Sequence, residues 1–407
     1  MSTAASTVDA DRRRELKQRA CATIDAQAQA LVEVSHAIHA HPELNYEEHF
    51  AHDILTRALD GRGIDVSRSA FGIDTAFAAQ AGDMGPNVAI LLEYDALPGI
   101  GHACGHNVIA AAGLGASFAL APLVADAGSR LTILGTPAEE GGGGKIEMAR
   151  AGAFAGLDAA MMIHPADADL ARMNAIAIQQ LVARYVGQAA HAAVSPHLGR
   201  NALDAAVLGY LNVAALRQHI RPTERVHGVF TKGGDKANIV PHEAETSWYV
   251  RSDTIETLQP LKHRVGACLH ASGDATGCSV ELEWKPNPYA DIKDNVALLE
   301  AYALNSTAVG RPLDAHATTG LGGGSTDMGN VSYLVPSIHP MIRVAPPGVS
   351  LHSPEFARYT ASFEADKAVV DGAKIMAMTV IDMWLDAALR QAVQRQFGAG
   401  EVPDGVL

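Results

Sequence analysis

Residues Val88–Asn107 read VAILLEYDALPGIGHACGHN, and they carry the strongest indication of the fold in this sequence. It begins as a short apolar run and ends in a polar cluster that contains Cys104 and His106. An apolar run of this length, followed by a turn and then by the helix-like segment Val108–Ala125, predicts a buried strand that leads into a helix. In open α/β sheets the carboxyl ends of the strands line one crevice, so the residues that follow this run are candidates for a functional site.

Further apolar runs along the chain repeat this arrangement, because each leads into polar residues. The runs and the residues that follow them are Arg130–Gly135 with Pro137–Glu140, Ala159–Ile163 with His164 and Pro165, and Val335–Val344 with Leu351–Pro354. Longer segments with helix-like spacing separate the first three runs, which predicts strands alternating with helices in an α/β sheet. We therefore expect the polar clusters to meet at one edge of that sheet.

The middle of the chain follows a different pattern, with the order strand, helix, strand, strand, helix, strand. The predicted elements are Ile176–Val186, Asn201–His219, Val226–Lys232, Glu243–Arg251, a helix before Ser272, and Ser279–Lys285. This is the order of a ferredoxin-like α+β unit. Pro260 is unfavourable inside the second helix and predicts a late start or a kink there. We expect a discontinuous catalytic domain, residues 1–174 and 289–407, interrupted by an inserted domain, residues 175–288.

Composition and charge exclude several other classes of protein. The chain has 407 residues, of which 48% are hydrophobic, and 31 Lys and Arg against 45 Asp and Glu give a formal net charge of −14. This acidic balance argues against nucleic acid or an anionic membrane as a partner. The four cysteines form no regular framework and the charged start resembles no export signal, so we expect a cytoplasmic protein. The uncharged stretch Val108–Ala125 is rich in Ala and Gly, which favours a buried helix over a membrane span.

The polar clusters contain the side chains of a metal site. Cys104, His106, Glu140 and His164 together offer the thiolate, imidazole and carboxylate ligands that zinc prefers. Glu139, next to Glu140, would remain free to take a proton from water. Each residue alone is more often structural, and the 18 histidines of the chain make any one of them weak evidence. Their placement after successive strands is what favours a metal site.

Other motifs fail on spacing. Gly141–Lys145 resembles a phosphate-binding loop, but Glu139 stands at its first glycine position and Ile146 where Ser or Thr would hold magnesium. Gly99, Gly101 and Gly105 miss the dinucleotide-binding pattern by one residue. The sequence also contains no Gly-x-Ser-x-Gly motif, so nothing supports a serine hydrolase.

Seven motifs in order resemble one enzyme family. They are EYDALPGIGHACGHN, TPAEEGGGGK, MMIHP, AAHAAVSPHLGRNALDA, ANIVPHEAE, GGGSTDMGNVS and LHSPEF. They are similar to the metallopeptidase family of aminoacylases, carboxypeptidase G and plant amidohydrolases that release indole acetate from conjugates. The resemblance extends from about His36 to His352. It implies a di-metal exopeptidase fold with an inserted lid domain.

The resemblance also implies roles for individual residues. The metal ligands would be Cys104, His106, Glu140, His164 and His352, with Glu139 as the general base and Asp95 supporting the ligands from outside the coordination sphere. The lid domain would form a homodimer, in which His191 stabilises the oxyanion in the partner's active site. The substrate, a small amide with a free carboxylate, would contact Asn238, Arg251, Gly323, Gly324 and Ser325.

Asn107 departs from the pattern of the amidohydrolase branch, where Asp commonly follows the second ligand. Asn at this position, like the GGGG run, is closer to p-aminobenzoyl-glutamate hydrolase and to relatives resembling β-alanyl dipeptidases. The substitution predicts one negative charge fewer beside His106.

The resemblance implies an amidohydrolase that uses two divalent ions, zinc or else manganese or cobalt, to cleave an N-acyl amino acid or related small amide conjugate. A dipeptidase or p-aminobenzoyl-glutamate hydrolase is one alternative. A catalytically silent metal-binding regulatory protein is another.

Overall fold

The computed structural model describes residues 2–314, 324–398 and 401–407. Its strands, in chain order, are β1 Val66–Arg68, β2 Phe77–Ala81, β3 Asn87–Leu92, β4 Arg130–Gly135, β5 Ala159–Met161, β6 His164–Ala166, β7 Ala177–Val186, β8 Arg225–Lys232, β9 Glu243–Ser252, β10 Ser279–Trp284, β11 Ser337–Ile338 and β12 Met341–Arg343. Its α-helices are α1 Ser2–Ala40, α2 His49–Asp60, α3 His106–Leu120, α4 Val124–Ala127, α5 Gly144–Arg150, α6 Ala202–Leu216, α7 Ile255–Thr276, α8 Val296–Ala308, α9 Met328–Ser332, α10 Pro354–Tyr359, α11 Phe363–Leu385 and α12 Ala387–Phe397.

The chain forms two compact units. The first unit comprises Met1–Asn174, Ile292–Leu321 and Thr326–Val402, and the second comprises Ala175–Asp291, Gly322–Ser325 and Pro403–Leu407. The predicted α/β architecture is confirmed, since the first unit has strands alternating with helices and the second has an antiparallel sheet with two helices.

The main sheet of the first unit has the strand order β1-β2-β4-β3-β5-β11. Strands β4, β3, β5 and β11 are parallel, whereas β1 and β2 add antiparallel pairs at one side. A separate pair, β6 with β12, is parallel. The run Val335–Val344 therefore divides into two short strands in different sheets rather than forming one strand.

Strand β3 explains why this sheet is buried on both faces, because every one of its residues is buried. Val88, Ile90 and Leu92 belong to a core that includes residues of α1, α3 and α11. Ala89 and Leu91 belong to a second core on the opposite face. Burial on both faces is the usual environment of a parallel strand and accounts for its uninterrupted apolar sequence.

Helix α3 begins directly after the polar turn of the opening sequence, and all fifteen of its residues are buried. Its Gly113 permits a close approach to β3, since a Cβ atom there would lie 2.7 Å from the Leu92 side chain. The stretch His106–Ala127 is long and apolar enough to cross a membrane, but 78% of its apolar window is buried inside the protein. This burial agrees with the predicted core helix.

The second unit has an antiparallel sheet of order β10-β7-β9-β8, with α6 packed against α7. The predicted order of its elements is confirmed. The predicted late start of the second helix is wrong, because α7 begins at Ile255 and contains Pro260. Thr254 caps this helix through reciprocal bonds with Thr257, which fixes its first turn ahead of the proline.

Candidate metal centre

The predicted donors come from separate segments of the first unit. Cys104 and His106 flank Gly105 at the start of α3, and Gly105 has the left-handed φ of 82° that this turn requires. Glu140 follows β4 and His164 opens β6. His352 lies just before α10, and its backbone N–H donates to the carbonyl of Ala103, which ties this late loop to the turn of Cys104.

These donors converge on one place. The Sγ atom of Cys104 lies 3.4 Å from His164 Nε2 and 3.4 Å from His352 Nε2. His352 Nε2 is 3.4 Å from an oxygen of Glu140, and His106 Nε2 is 4.0 Å from oxygens of both Glu139 and Glu140. Sets of three donors lie within 4.8 Å of one another, and Cys104 belongs to two of these sets.

The paired glutamates sit on a strained turn. Ala138, just before them, has a φ of 60°, which is unfavourable for a residue with a side chain. The buried Glu48 stabilises the turn by accepting the backbone N–H of Ala138 at 2.8 Å. Gly144 lies so close to the chain that a Cβ atom would be 1.9 Å from the carbonyl oxygen of Pro137. The glycine run therefore serves a tight turn that presents Glu139 and Glu140.

Asp95 fixes the orientation of His106. Its Oδ1 atom lies 2.9 Å from His106 Nδ1, and its Oδ2 atom accepts the backbone N–H of Glu140. Burial would lower the pKa of His106, but the charge and hydrogen bond of Asp95 raise it well above its usual range. With its Nδ1 atom held by Asp95, His106 directs Nε2 toward the glutamates.

The donor set fits a divalent cation. Two donors on one tetrahedral zinc ion, at about 2.0–2.3 Å each, lie about 3.3–3.8 Å apart, and the Cys104 distances of 3.4 Å fall in that range. Within the described ranges, the buried Nε2 atom of His106 has no hydrogen-bond partner. A buried imidazole nitrogen surrounded by carboxylates is the environment of a metal ligand.

Burial disfavours the ionised forms of the thiol and carboxyl groups in this cluster, and a cation would favour them. Desolvation raises the pKa of the Cys104 thiol well above its usual range, and the charge of Glu140 adds to the effect. Desolvation and the charge of Glu140 likewise raise the pKa of Glu139. A divalent ion among these side chains would stabilise their ionised forms.

In the second unit, the structure places His191 beside Asn238. The backbone N–H of Ala192 donates to the carbonyl of Asn238 at 3.0 Å, so the two predicted motifs lie next to each other. His191 is exposed, and its Nδ1 atom accepts the backbone N–H groups of Ala193 and Val194 at 3.2 Å each. Because backbone N–H groups only donate, a neutral His191 carries its proton on Nε2.

Arg251 and Ser325 also lie together in the second unit, where Arg251 Nη1 donates to Ser325 Oγ at 3.1 Å. Gly324 is anchored nearby, since its carbonyl accepts the backbone N–H of Ile176. In the parts of the chain with described positions, no carboxylate lies within ion-pair distance of Arg251. Gly323 lies outside the described residues.

Several buried polar residues near the donors were not predicted. Lys145 forms ion pairs with Glu93 and Asp327, and none of these side chains is exposed. His339 packs its ring 5.1 Å from that of His164. Glu93 ends the first apolar run and Lys145 follows the glycine run, so both stand next to motifs that the sequence analysis singled out. Their pairing could not be predicted, because the two residues are far apart in the sequence.

Asn107 makes contacts that explain why it is not Asp. Its side-chain amide donates to Ser35 Oγ at 2.9 Å and to the carbonyl of Thr360 at 2.8 Å. An aspartate carboxylate could not donate to either acceptor. The residue therefore links α3 to α1 and to the end of α10, while Asp95 supports His106.

Comparison with known proteins decides the family. The sequence model of peptidase family M20/M25/M40 matches residues 86–382. The chain belongs to this family. It is a metal-dependent hydrolase of amide bonds, and both the fold class and the family resemblance of its motifs are confirmed.

Two curated relatives and one solved structure support this assignment over most of the chain. The chain is 41% identical to Xaa-Arg dipeptidase of Mus musculus, covering 94% of this chain and 92% of the relative. It is 30% identical to one of the subunits of p-aminobenzoyl-glutamate hydrolase of Escherichia coli, covering 92% and 93%. The crystal structure of a dinuclear metal-binding M20 peptidase from Bacillus subtilis shares the fold, with 19% identity, a TM-score of 0.67 and coverage of 88% and 98%.

Proposed function

We propose that this M20 enzyme is a dipeptidase that hydrolyses the amide bond of small substrates ending in a free carboxylate. The observation that carries the proposal is the convergence of thiolate, imidazole and carboxylate donors beside Glu139. A dipeptide is chemically an N-acylated amino acid, so the proposal stays within the predicted class. The 41% identity to an Xaa-Arg dipeptidase favours peptides with a C-terminal arginine. Similarity to a p-aminobenzoyl-glutamate hydrolase supports aryl-glutamates as the second candidate.

Cys104, His106, Glu140, His164 and His352 would hold two divalent ions. The mixture of thiolate and imidazole favours zinc, with manganese or cobalt as substitutes. When bound, such ions acidify water and polarise the amide carbonyl. The chain's contribution is to hold the donors at fixed distances before the ions bind, through Asp95 behind His106 and through the strained turn at Ala138.

Glu139 would act as the general base. Its carboxylate lies 4.0 Å from His106 Nε2, within one of the donor sets, so it is placed where water would be activated. It would take a proton from the attacking water and deliver it to the amine that leaves. The neighbouring Glu140 would remain a metal ligand.

His191 would donate a hydrogen bond to the oxyanion. Its Nδ1 atom is occupied by two backbone N–H groups, so a neutral imidazole presents an Nε2 proton. Donors that are oriented before the reaction are the ones that stabilise an oxyanion most effectively. We propose that it serves the active site of a partner subunit.

Arg251 would bind the substrate carboxylate. Its guanidinium is partly buried, and this desolvation lowers its pKa, yet the hydrogen bond that the structure gives its side chain goes to the neutral Ser325. A desolvated guanidinium without a carboxylate partner is prepared to accept one from a ligand. Asn238, Gly324 and Ser325 would line the same part of the site.

The homodimer would form through the second unit. Strand β8 lies at an edge of its sheet, and Val229 and Phe230 on it are 62% and 44% exposed. Helix α6 exposes Leu208 and Leu211 as well. An exposed edge strand with apolar side chains is a site for pairing with a second copy. All four cysteines are free, which fits a cytoplasmic location.

The test is a substrate panel on the metal-loaded full chain. Release of the C-terminal product, the amino acid or its amide, would be measured for Xaa-Arg dipeptides, the same dipeptides with an amidated C-terminus, p-aminobenzoyl-glutamate and N-acetyl amino acids. We expect the free dipeptides to have the highest kcat/KM and amidation to lower it about 100-fold, since the charged contact to Arg251 is lost. Equal rates on free and amidated peptides would refute the carboxylate requirement. A higher kcat/KM for p-aminobenzoyl-glutamate would establish the second candidate instead.

A further inference from the structure

Lys145, the residue after the glycine run, is completely buried. Its Nζ atom lies 2.6 Å from Glu93 Oε1 and 2.6 Å from Asp327 Oδ1, and neither carboxylate is exposed. Its backbone N–H also donates to Asp327 Oδ2 at 2.9 Å. The lysine thus joins the end of β3, the start of α5 and the segment before α9.

This ion-pair network lies beside the proposed metal ligand His106. The second oxygen of Glu93, Oε2, is 3.5 Å from His106 Nε2, the ring atom that faces the glutamates. Lys145 follows Glu140 by five residues on the turn that carries both glutamates. Glu93 precedes Asp95 by two residues. The network therefore connects the strand end that supports His106 with the turn that carries Glu139.

Stability alone does not account for the network. Removing an ammonium group and two carboxylates from water costs several kcal/mol per ion, and apolar side chains of similar volume are often equally stable in such a place. Burial by itself would lower the pKa of Lys145, but the charges of Asp327 and Glu93 raise it, so the lysine is ionised. What charged pairs add over apolar packing is a defined direction for each group.

We propose that Lys145 is a positioning residue for the metal centre. By holding Glu93 and Asp327 at once, it fixes the Glu139 turn relative to the end of β3 and keeps the Glu93 carboxylate beside His106. The inference rests on the proposed roles of His106, Glu139 and Glu140. Glu93 contacts His106 but belongs to none of the three donor sets found among the described residues, and the loss of groups that support metal ligands typically lowers metal affinity or activity about 10- to 100-fold.

The experiment compares two variants with a matched control. Lys145→Met removes the positive charge that both carboxylates share, whereas Glu93→Gln/Lys145→Met removes the pair with Glu93 and leaves Asp327 with the backbone N–H of residue 145. Lys374→Met is the control. Lys374 also lies in the first unit, and its Nζ atom pairs with Oδ1 of Asp25, a residue of α1, at 2.5 Å. For each full-length protein, we would measure thermal unfolding, cobalt affinity by titration of the chelator-treated protein, the visible spectrum of the cobalt form, and kcat and KM.

We expect Lys145→Met to be the least stable of these proteins. The double variant should recover part of the stability, since one buried carboxylate fewer is left without the ammonium group, yet bind cobalt about 10- to 100-fold more weakly, with an altered spectrum and a kcat about 100-fold lower at similar KM. The control should match the parent in cobalt affinity and spectrum. A purely structural role would restore the cobalt affinity and kcat together with the stability.

Other outcomes are equally decisive. Parental cobalt affinity, spectrum and kcat in the double variant would overturn the proposal. Failure of both Lys145 variants to fold, while Lys374→Met folds, would assign the network to stability and also overturn it. If the parent hydrolyses none of the panel substrates but cobalt affinity still falls in the double variant, the proposed function fails and the positioning role stands.

Discussion

The two units hold their polar side chains in opposite ways. In the first unit, His106, Glu139 and His164 are buried, and each is fixed by partners such as Asp95 or by the strained turn at Ala138. In the second unit, His191 and Asn238 are exposed on loops. The difference shows that the first unit fixes its polar side chains by burial and hydrogen bonds, whereas the second leaves these two side chains open to solvent. Substitutions in the two units should therefore fail in different ways.

The largest effect should come from Glu139→Gln. Loss of the proposed general base should lower kcat about 1000- to 10,000-fold, because an amide side chain cannot take the proton from water. Metal content, measured by elemental analysis, should remain at the parental value since the other donors are retained. A variant that keeps both its metal and its activity would remove Glu139 from the mechanism.

His191→Ala should have the next largest effect, about 100- to 1000-fold in kcat with little change in metal content or unfolding temperature. The side chain is exposed, so its removal leaves no buried cavity. Mixed dimers of His191→Ala and Glu139→Gln protomers should regain activity if His191 serves the partner's site. Verified mixed dimers that remain inactive would show that each subunit is self-sufficient.

Glu48 tests whether a buried carboxyl group that supports the Ala138 turn lowers the stability of the folded protein at neutral pH. Burial, with the charge of Asp95, raises the pKa of Glu48 to about 7 from 4.5. The folded protein therefore retains a proton that the unfolded chain has released, and the free energy of unfolding falls as pH rises through this window, by about 3 kcal/mol in full. Glu48→Gln should remove this dependence in urea unfolding measured from about pH 4.5 to about pH 7.5. The exposed neighbour variant Glu47→Gln should keep it, and an unchanged slope in Glu48→Gln would show that other groups cause it.

Asn107→Asp should have the smallest effect, a loss of stability of about 1–3 kcal/mol with metal affinity retained. The aspartate cannot donate to Ser35 or to the carbonyl of Thr360, and neither acceptor is one of the proposed metal ligands. Ser35→Ala should cost less, because it removes one of the two acceptors. Thermal unfolding of the metal-loaded chain measures both variants, and a large loss of metal affinity in Asn107→Asp would instead link this residue to His106.

Much of the fold could be predicted, because its signals are local. The apolar run of β3 and the polar turn after it lie in one continuous stretch, and the alternation of strands and helices follows from such runs. The start of α7 could not be placed, since the proline signal competes with a cap at Thr254 that outweighs it. The run Val335–Val344 reads as one strand, yet its two halves pair with different partners, which depends on distant segments.

The class of chemistry was visible in the sequence alone, because seven motifs resemble a family of metal-dependent amide hydrolases and the residue types after successive strands favour a metal site. How those residues are held became visible only in the folded protein. The contact of Asp95 with His106, the ion pairs of Lys145 and the Nε2 proton of a neutral His191 each depend on atoms brought within about 3 Å by the fold. Burial strengthens the contacts of Asp95 and Lys145, and burial is a property of the packed protein rather than of any one stretch of its sequence.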